Sequence, residues 1–227
     1  KESITITDNR SGESIEIPIE DGGVDSGPWT KFLPGIWFKD EGFAATAVTN
    51  SSITYIDGGA GQLEYRGYRI EDLAKKSTFT EVACLLVHGE LPTGGSLQDW
   101  NTQLARHAHL DDQQNENLLK AFNSQSHPMG MFTAGLAALS TLYPDARDVE
   151  DPEIREKHVL NAIAKVPTLA ASAAAYRNGY SGAQSSDELS YIENFLSMAF
   201  SSPKEPFQSN PTFTKALDQL LILHADH

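Results

Sequence analysis

Two histidines near the end of the sequence have a spacing that could support acid–base or polarising chemistry. Phe213, Leu217 and Leu220 step by four and three residues along a predicted helix, and the same step continues to His224 and His227. This periodicity predicts that both imidazoles lie on or next to an inward apolar stripe. A titratable ring facing the interior needs a hydrogen-bond partner or a substrate, so the pair is a candidate site.

Two other interpretations of this pair stay open on spacing alone. Backbone carbonyls could satisfy both rings in a core that has no role in chemistry. A zinc site could use the i, i+3 histidines with Asp226, but no third ligand and no glutamate at metalloprotease spacing accompanies them. Spacing alone favours the pair of core histidines, and the metal site is the least favoured of the three interpretations.

Two further clusters lie at predicted helix ends. Ser126-His127-Pro128-Met129 could form an anion-binding or catalytic turn, although proline in the first turn is typical of an ordinary helix start. Arg106-His107-Ala108-His109 closes a helix, where cations complement the macrodipole. The same residues could bind a nucleotide phosphate, joined by Tyr143 and Lys165 if the fold brings them together.

The composition excludes several classes of protein. The 227 residues carry a net charge of −14, which argues against binding to nucleic acid or to an anionic membrane surface. No segment is long and apolar enough to span a bilayer, and no signal peptide is visible. Cys84, the single cysteine, lies in an apolar run and is predicted to be a buried core residue in a reducing, cytoplasmic compartment.

The beginning of the sequence has the pattern of two β-hairpins. Ile4 and Ile6, then Ile15, Ile17 and Ile19, alternate with polar residues on either side of a turn. A second hairpin is predicted over residues 53–67. Its glycine-rich centre at 57–61 could suggest a phosphate cradle, but it does not open a helix and fits a tight turn better.

From residue 70 onward the pattern is helical. We therefore expect a mainly α fold in which a small β-rich region, residues 1–69, precedes a helical large domain, residues 70–227. The small residues at 168–176 predict a tight helix–helix contact. The predicted helices are 70–76, 80–88, 96–109, 115–123, 129–142, 152–165, 168–176, 187–199 and 211 to the end, the last cut before a C-cap.

Five motifs occur in order along nearly the whole chain. They are Ile53-Thr54-Tyr55-Ile56-Asp57-Gly58 followed by Tyr65-Arg66-Gly67-Tyr68, the stretch from Glu81-Val82-Ala83 to Gly89-Glu90-Leu91-Pro92-Thr93, Ser126-His127-Pro128-Met129, Leu189-Ser190-Tyr191-Ile192-Glu193-Asn194-Phe195-Leu196, and Leu223-His224-Ala225-Asp226-His227. Together they resemble bacterial citrate synthase of the larger, allosteric type. Their order and spacing match that family, which makes the resemblance highly specific.

The resemblance implies condensation of acetyl-CoA with oxaloacetate and water to citrate and CoA in the tricarboxylic acid cycle, without a cofactor. It places His227 in the oxaloacetate pocket, with His224 as a supporting residue on the same helix. The family's enol-stabilising histidine, its other catalytic histidine, its aspartate base and its small domain would all lie beyond residue 227. The chain is therefore expected to be an inactive N-terminal part of the enzyme, which forms a homodimer or a hexamer built as a trimer of dimers.

In allosteric members of the family NADH binds a pocket that resembles Arg106, His107, Tyr143 and Lys165. This sequence carries Asn161 where a basic residue is expected, which predicts weak NADH inhibition. His109 also replaces an apolar residue.

Two alternative functions remain. The first is a 2-methylcitrate synthase that uses propionyl-CoA with the same pocket. The second is a non-catalytic helical module that makes only subunit contacts through residues 129–142 and 168–176.

Overall fold

A computed structural model describes residues 2–111, 118–123, 125–180, 184–202 and 204–226. The chain forms two compact units, Lys1–Ser51 and Ser52–His227. The predicted domain division after residue 69 stays a prediction, although the second hairpin lies in the same unit as the helices.

The first unit contains the predicted N-terminal hairpin. Strands β1 (Ser3–Thr7) and β2 (Ser14–Glu20) pair antiparallel, and β3 (Gly23–Val24) pairs with β2. Only Ile17 is fully buried among the strand isoleucines. A short helix, α1 (Ser26–Phe32), follows and was not predicted. The side chain of Asp25 caps its start.

The second unit begins with the second predicted hairpin. Strands β4 (Thr54–Asp57) and β5 (Gln62–Tyr65) pair antiparallel, and β6 (Tyr68–Arg69) adds to β5. The side chain of Asp57 accepts a hydrogen bond from the Ala60 N–H at 2.9 Å and closes the turn. The glycine-rich segment is thus a strand-connecting turn, as the sequence favoured.

The helices begin and end close to most of the predicted bounds. They are α2 (Ile70–Lys76), α3 (Phe79–His88), α4 (Gly94–His107), α5 (Pro128–Leu142), α6 (Pro152–Arg177), α7 (Tyr191–Phe200) and α8 (Pro211–Leu223), with a 3₁₀ turn at Pro144–Arg147. The helix predicted at 115–123 lies partly outside the described residues; residues 118–120 are helical. No helix of the described ranges is long and apolar enough to cross a membrane.

One helix was predicted as two. Pro167 lies inside α6, which runs through it, although proline normally ends or kinks a helix. Burial explains the difference, because α6 is the central helix and packs against α4, α5 and α7. Thr168, the next residue, donates its hydroxyl to the Ala108 carbonyl at 2.8 Å, which adds a tertiary contact at the same point.

The core lies along α6 and between the second hairpin and α8. One apolar cluster joins the hairpin to helices α2, α3 and α8, and a second joins α3, α4 and α6. Cys84 is buried in the second cluster as predicted, and burial raises the pKa of its thiol. The small-residue segment packs closely, as predicted: Ala171, Ala173 and Ala175 are buried, and Ala171 packs with Met198 and Ala199 of α7.

Candidate functional site

Helix α8 precedes the candidate histidines in the sequence and begins as predicted. The side chain of Asn210 accepts hydrogen bonds from the first turn, and Pro211 takes the first helical position. The predicted inward stripe is wrong, however. Phe213 is 50% exposed and Leu220 is 52% exposed, whereas Ile222 is 0% exposed.

Polar contacts set this orientation of α8. Asp218 Oδ1 accepts a hydrogen bond from the Phe79 N–H at 2.8 Å, at the start of α3. Gln219 Nε2 donates to the Ala74 carbonyl at 2.8 Å, near the end of α2. The inward face is therefore part polar, since its side chains satisfy the ends of two neighbouring helices. A stripe drawn through apolar residues alone selects the wrong face.

The first candidate histidine is exposed at the end of α8. The helix ends at Leu223, and His224 is its C-cap, so the predicted helix does not continue to the end of the sequence. His224 Nδ1 donates to the Leu220 carbonyl at 2.7 Å. The prediction that His224 lies on or next to the inward face is wrong, because the face with Ile222 is the buried one. His227 lies outside the described residues, so its placement stays a prediction.

The residues just before His227 are held by the second hairpin. We call residues 223–226 the motif turn. The Thr54 hydroxyl donates to the Asp226 carboxylate. The Tyr65 hydroxyl donates to the Asp226 carbonyl at 3.2 Å, with the Leu223 carbonyl at 3.5 Å as a second acceptor, and accepts from the Asp226 N–H at 3.4 Å. Contacts across about 160 residues of sequence thus fix this turn.

The hairpin is itself fixed to α3 by Arg66. This residue adopts a left-handed backbone with φ 51°, which is uncommon for a residue other than glycine. Arg66 Nη2 donates to the Leu86 carbonyl at 2.9 Å, and Nη1 donates to the Ser52 hydroxyl at 2.8 Å. No local pattern identified Thr54, Tyr65 or Arg66 as site residues, because their partners are remote in sequence.

The proposed nucleotide residues are only partly brought together. Lys165 is 8% exposed, and its ammonium donates to the carbonyls of His107 at 2.6 Å and His109 at 2.8 Å. Desolvation by burial lowers the pKa of Lys165. His107 Nδ1 donates to Asn161 Oδ1 at 2.6 Å. In this structure, therefore, Lys165 and His107 are hydrogen-bonded within the protein.

The other two residues of that set lie on different cavities. Tyr143 lines a cavity of about 200 Å³ together with Lys165 and apolar side chains of α5, and its ring lies 5.5 Å from the His158 ring. Arg106 is exposed and lines a separate groove of about 1080 Å³ between α4 and its neighbouring helices. Of the four expected residues, His107 and Lys165 therefore lie together and Tyr143 lies near Lys165, whereas Arg106 lies on a separate groove.

The Ser126–Met129 segment forms a helix start. His127 is the N-cap of α5, its Nδ1 accepts a hydrogen bond from the Met129 N–H at 3.2 Å, and Pro128 occupies the first turn. This matches the structural interpretation that the sequence favoured. Among the described residues no three His, Cys, Asp or Glu side chains converge as they would at a metal site.

The fold and the hairpin-held turn define a mainly α protein built on one long central helix, with a small β-rich region before it. The family described as citrate synthase, C-terminal domain, matches residues 42–227. The chain therefore belongs to the citrate synthase family, which confirms the resemblance drawn from the motifs.

Three similar proteins support the assignment to this family. A citrate synthase of Dictyostelium discoideum is 40% identical over 242 residues, which cover 100% of this chain and 46% of that protein. A citrate synthase of Corynebacterium glutamicum is 44% identical over 193 residues, which cover 85% of this chain and 44% of that protein. The crystal structure of citrate synthase from Pyrobaculum aerophilum matches with a TM-score of 0.72 and 32% identity, covering 82% of this chain and 47% of that one. The chain spans about half the length of the curated relatives it matches.

Proposed function

We propose that residues 1–227 are the N-terminal part of a citrate synthase, which condenses acetyl-CoA with oxaloacetate and water to give citrate and CoA. The observation that carries the proposal is the family match over residues 42–227. Condensation needs a base for the methyl proton, a donor for the developing enolate and a polarising donor for the oxaloacetate carbonyl, all at one point. The residues after 227 in a longer protein would supply the first two, and no cofactor is required.

His227 is the proposed contact to oxaloacetate. The support is the motif match and its position in the sequence directly after Asp226, which the second hairpin holds. An imidazole N–H aimed at the carbonyl oxygen would stabilise the negative charge that develops there. His224 would support this site by closing the end of α8 through its bond to the Leu220 carbonyl.

The experiment uses the longer gene product and follows CoA thiol release. His227→Ala should raise the oxaloacetate KM and lower turnover by on the order of 100-fold, as expected for the loss of one polarising donor. Near-wild-type kinetics would contradict the role of His227. Propionyl-CoA in place of acetyl-CoA tests for a 2-methylcitrate synthase, which would turn over propionyl-CoA faster.

NADH should inhibit this enzyme weakly or not at all. Lys165, the proposed phosphate-binding cation, already donates to two backbone carbonyls, and His107 bonds the neutral Asn161. A nucleotide phosphate would have to replace these bonds, and a lost charge-assisted bond weakens binding about tenfold or more. Titration of the longer protein with NADH measures this, and a dissociation constant of about 1 μM or below would contradict it.

The enzyme would be a homodimer or a hexamer in the cytoplasm. Helix α5 supports self-association, since its 15 residues include no charged side chain, and Met129, Leu136 and Leu142 are exposed along it. The single buried Cys84 fits a reducing compartment. Sedimentation of the longer protein as a monomer at micromolar concentration would contradict the proposed assembly, and fluorescence imaging of the tagged protein tests the compartment.

A further inference from the structure

The second hairpin contacts the motif turn through two hydroxyl groups that the proposed mechanism does not use. Thr54 donates to the carboxylate of Asp226, and Tyr65 bonds both its carbonyl and its N–H. Tyr65 is fully buried, and Arg66 fastens the hairpin to α3. A buried hydroxyl that is hydrogen-bonded to the backbone of one residue restrains the backbone at that point.

The carbonyl that accepts from Tyr65 belongs to the peptide bond between Asp226 and His227. A peptide unit is planar, so a hydrogen bond to its carbonyl also restricts the orientation of its nitrogen side. The Asp226 carboxylate restrains the same residue a second time, through Thr54 on the neighbouring strand. Two anchors on adjacent strands therefore hold both the backbone and the side chain of Asp226.

We infer that Thr54 and Tyr65 are positioning residues for oxaloacetate: they hold Asp226, and Asp226 sets where the next residue, His227, meets the substrate. This inference rests on the proposed function, and in particular on the role of His227. A catalytic constellation loses activity when its supporting contacts loosen by even about 1 Å, because polarisation depends on a fixed geometry. The effect should fall on oxaloacetate, since the anchors act on the residue proposed to contact that substrate.

Matched variants of the longer protein separate positioning from simple destabilisation. Thr54→Val removes one hydroxyl and keeps the shape of the side chain. Thr168→Val removes a hydroxyl of the same kind, which also donates within the protein, to the Ala108 carbonyl. For the second anchor, Tyr65→Phe is compared with Tyr55→Phe, because Tyr55 lies on the same hairpin but is exposed.

The decisive measurements are the oxaloacetate dissociation constant from calorimetry and the KM values for oxaloacetate and acetyl-CoA. Thr54→Val and Tyr65→Phe should each raise the oxaloacetate dissociation constant and KM about tenfold, the loss expected for a hydrogen bond to a charged or fully buried group. The acetyl-CoA KM should change less than about twofold, and Thr168→Val and Tyr55→Phe should leave oxaloacetate binding within about twofold. Thr54→Ser, which keeps the hydroxyl, should restore binding.

A double variant tests whether Thr54 acts through Asp226. Adding Thr54→Val to Asp226→Ala should change oxaloacetate binding by less than about twofold, since the shared contact is already gone. Equal effects of Thr54→Val and Thr168→Val, or parallel rises in both KM values, would overturn the inference and leave the proposed function standing. A wild-type protein that binds no oxaloacetate would overturn the proposed function and this inference with it.

Discussion

Replacing Ile222 by alanine should destabilise the chain far more than the same change at Leu220, two residues earlier on α8. Ile222 is 0% exposed and packs in the cluster of Tyr65, Ile70, Leu73, Val82 and Leu85, whereas Leu220 is 52% exposed. The pair is a direct test of which face of α8 points inward.

The structure gives the size of the difference. Each substitution removes three carbons, and burial of a methylene group is worth about 0.8 kcal/mol, so full burial of the three contributes about 2.4 kcal/mol. Fully buried Ile222 should also leave a cavity among rigid neighbours, which brings the expected loss to about 3–4 kcal/mol. Half-exposed Leu220 loses about half of the transfer term and leaves no cavity, so about 1 kcal/mol is expected.

Urea unfolding of the 227-residue chain, followed by far-ultraviolet circular dichroism at low protein concentration, measures both losses. The comparison uses the unfolding midpoint and slope of each variant, since a change of slope would report altered compactness instead of lost stability. A loss at Leu220 equal to or greater than that at Ile222 would refute this orientation of α8 and restore the stripe read from the sequence.

One single substitution, Asp218→Asn, and one pair, Gly135→Ala with Gly130→Ala, test further contacts. Burial raises the pKa of Asp218, and Glu81 adds to this shift while the Phe79 N–H opposes it. The contribution of the protonated Asp218 carboxyl to the free energy of unfolding is therefore fully present below the unfolded pKa near 3.8. This contribution is lost as pH rises through the higher folded pKa. Asp218→Asn, which keeps the acceptor, should therefore raise the thermal midpoint at pH 7, and the gain should shrink towards pH 4; a gain independent of pH would contradict this. Gly135→Ala should destabilise the fold by about 1–3 kcal/mol, because the added methyl crowds Leu169. Gly130 on the same helix has open space around it, so Gly130→Ala should stabilise the fold by up to about 1 kcal/mol. Equal effects of the two substitutions in urea unfolding would contradict the packing of α5 on α6.

The sequence predicted elements wherever local chemistry decides them. Alternating isoleucines predicted the first hairpin, and the last helix begins at Pro211 as predicted. The same local reasoning failed at Pro167, because tertiary packing of α6 outweighs the helix-breaking preference of proline. It also missed α1, because Gly27 and Pro28 have low helix propensity, although the side chain of Asp25 caps the helix.

The candidate site depends on contacts that no local pattern contains. Periodicity counted Phe213 and Leu220 as inward because they are apolar, yet the inward face of α8 carries Asp218, whose carboxylate caps α3. Thr54 and Asp226 meet across 172 residues of sequence. The motif match located the end of α8 as important, and only the fold shows which residues hold it.

The rate of oxaloacetate-dependent thiol release from acetyl-CoA tests the central claim most directly, measured side by side on the longer gene product and on the 227-residue chain. The longer protein should release CoA at a rate that saturates with oxaloacetate, and the 227-residue chain should not exceed a heat-inactivated control, because it would hold at most the polarising donor of the three required groups. Oxaloacetate-dependent release by the 227-residue chain, or none by the longer protein, would contradict the account.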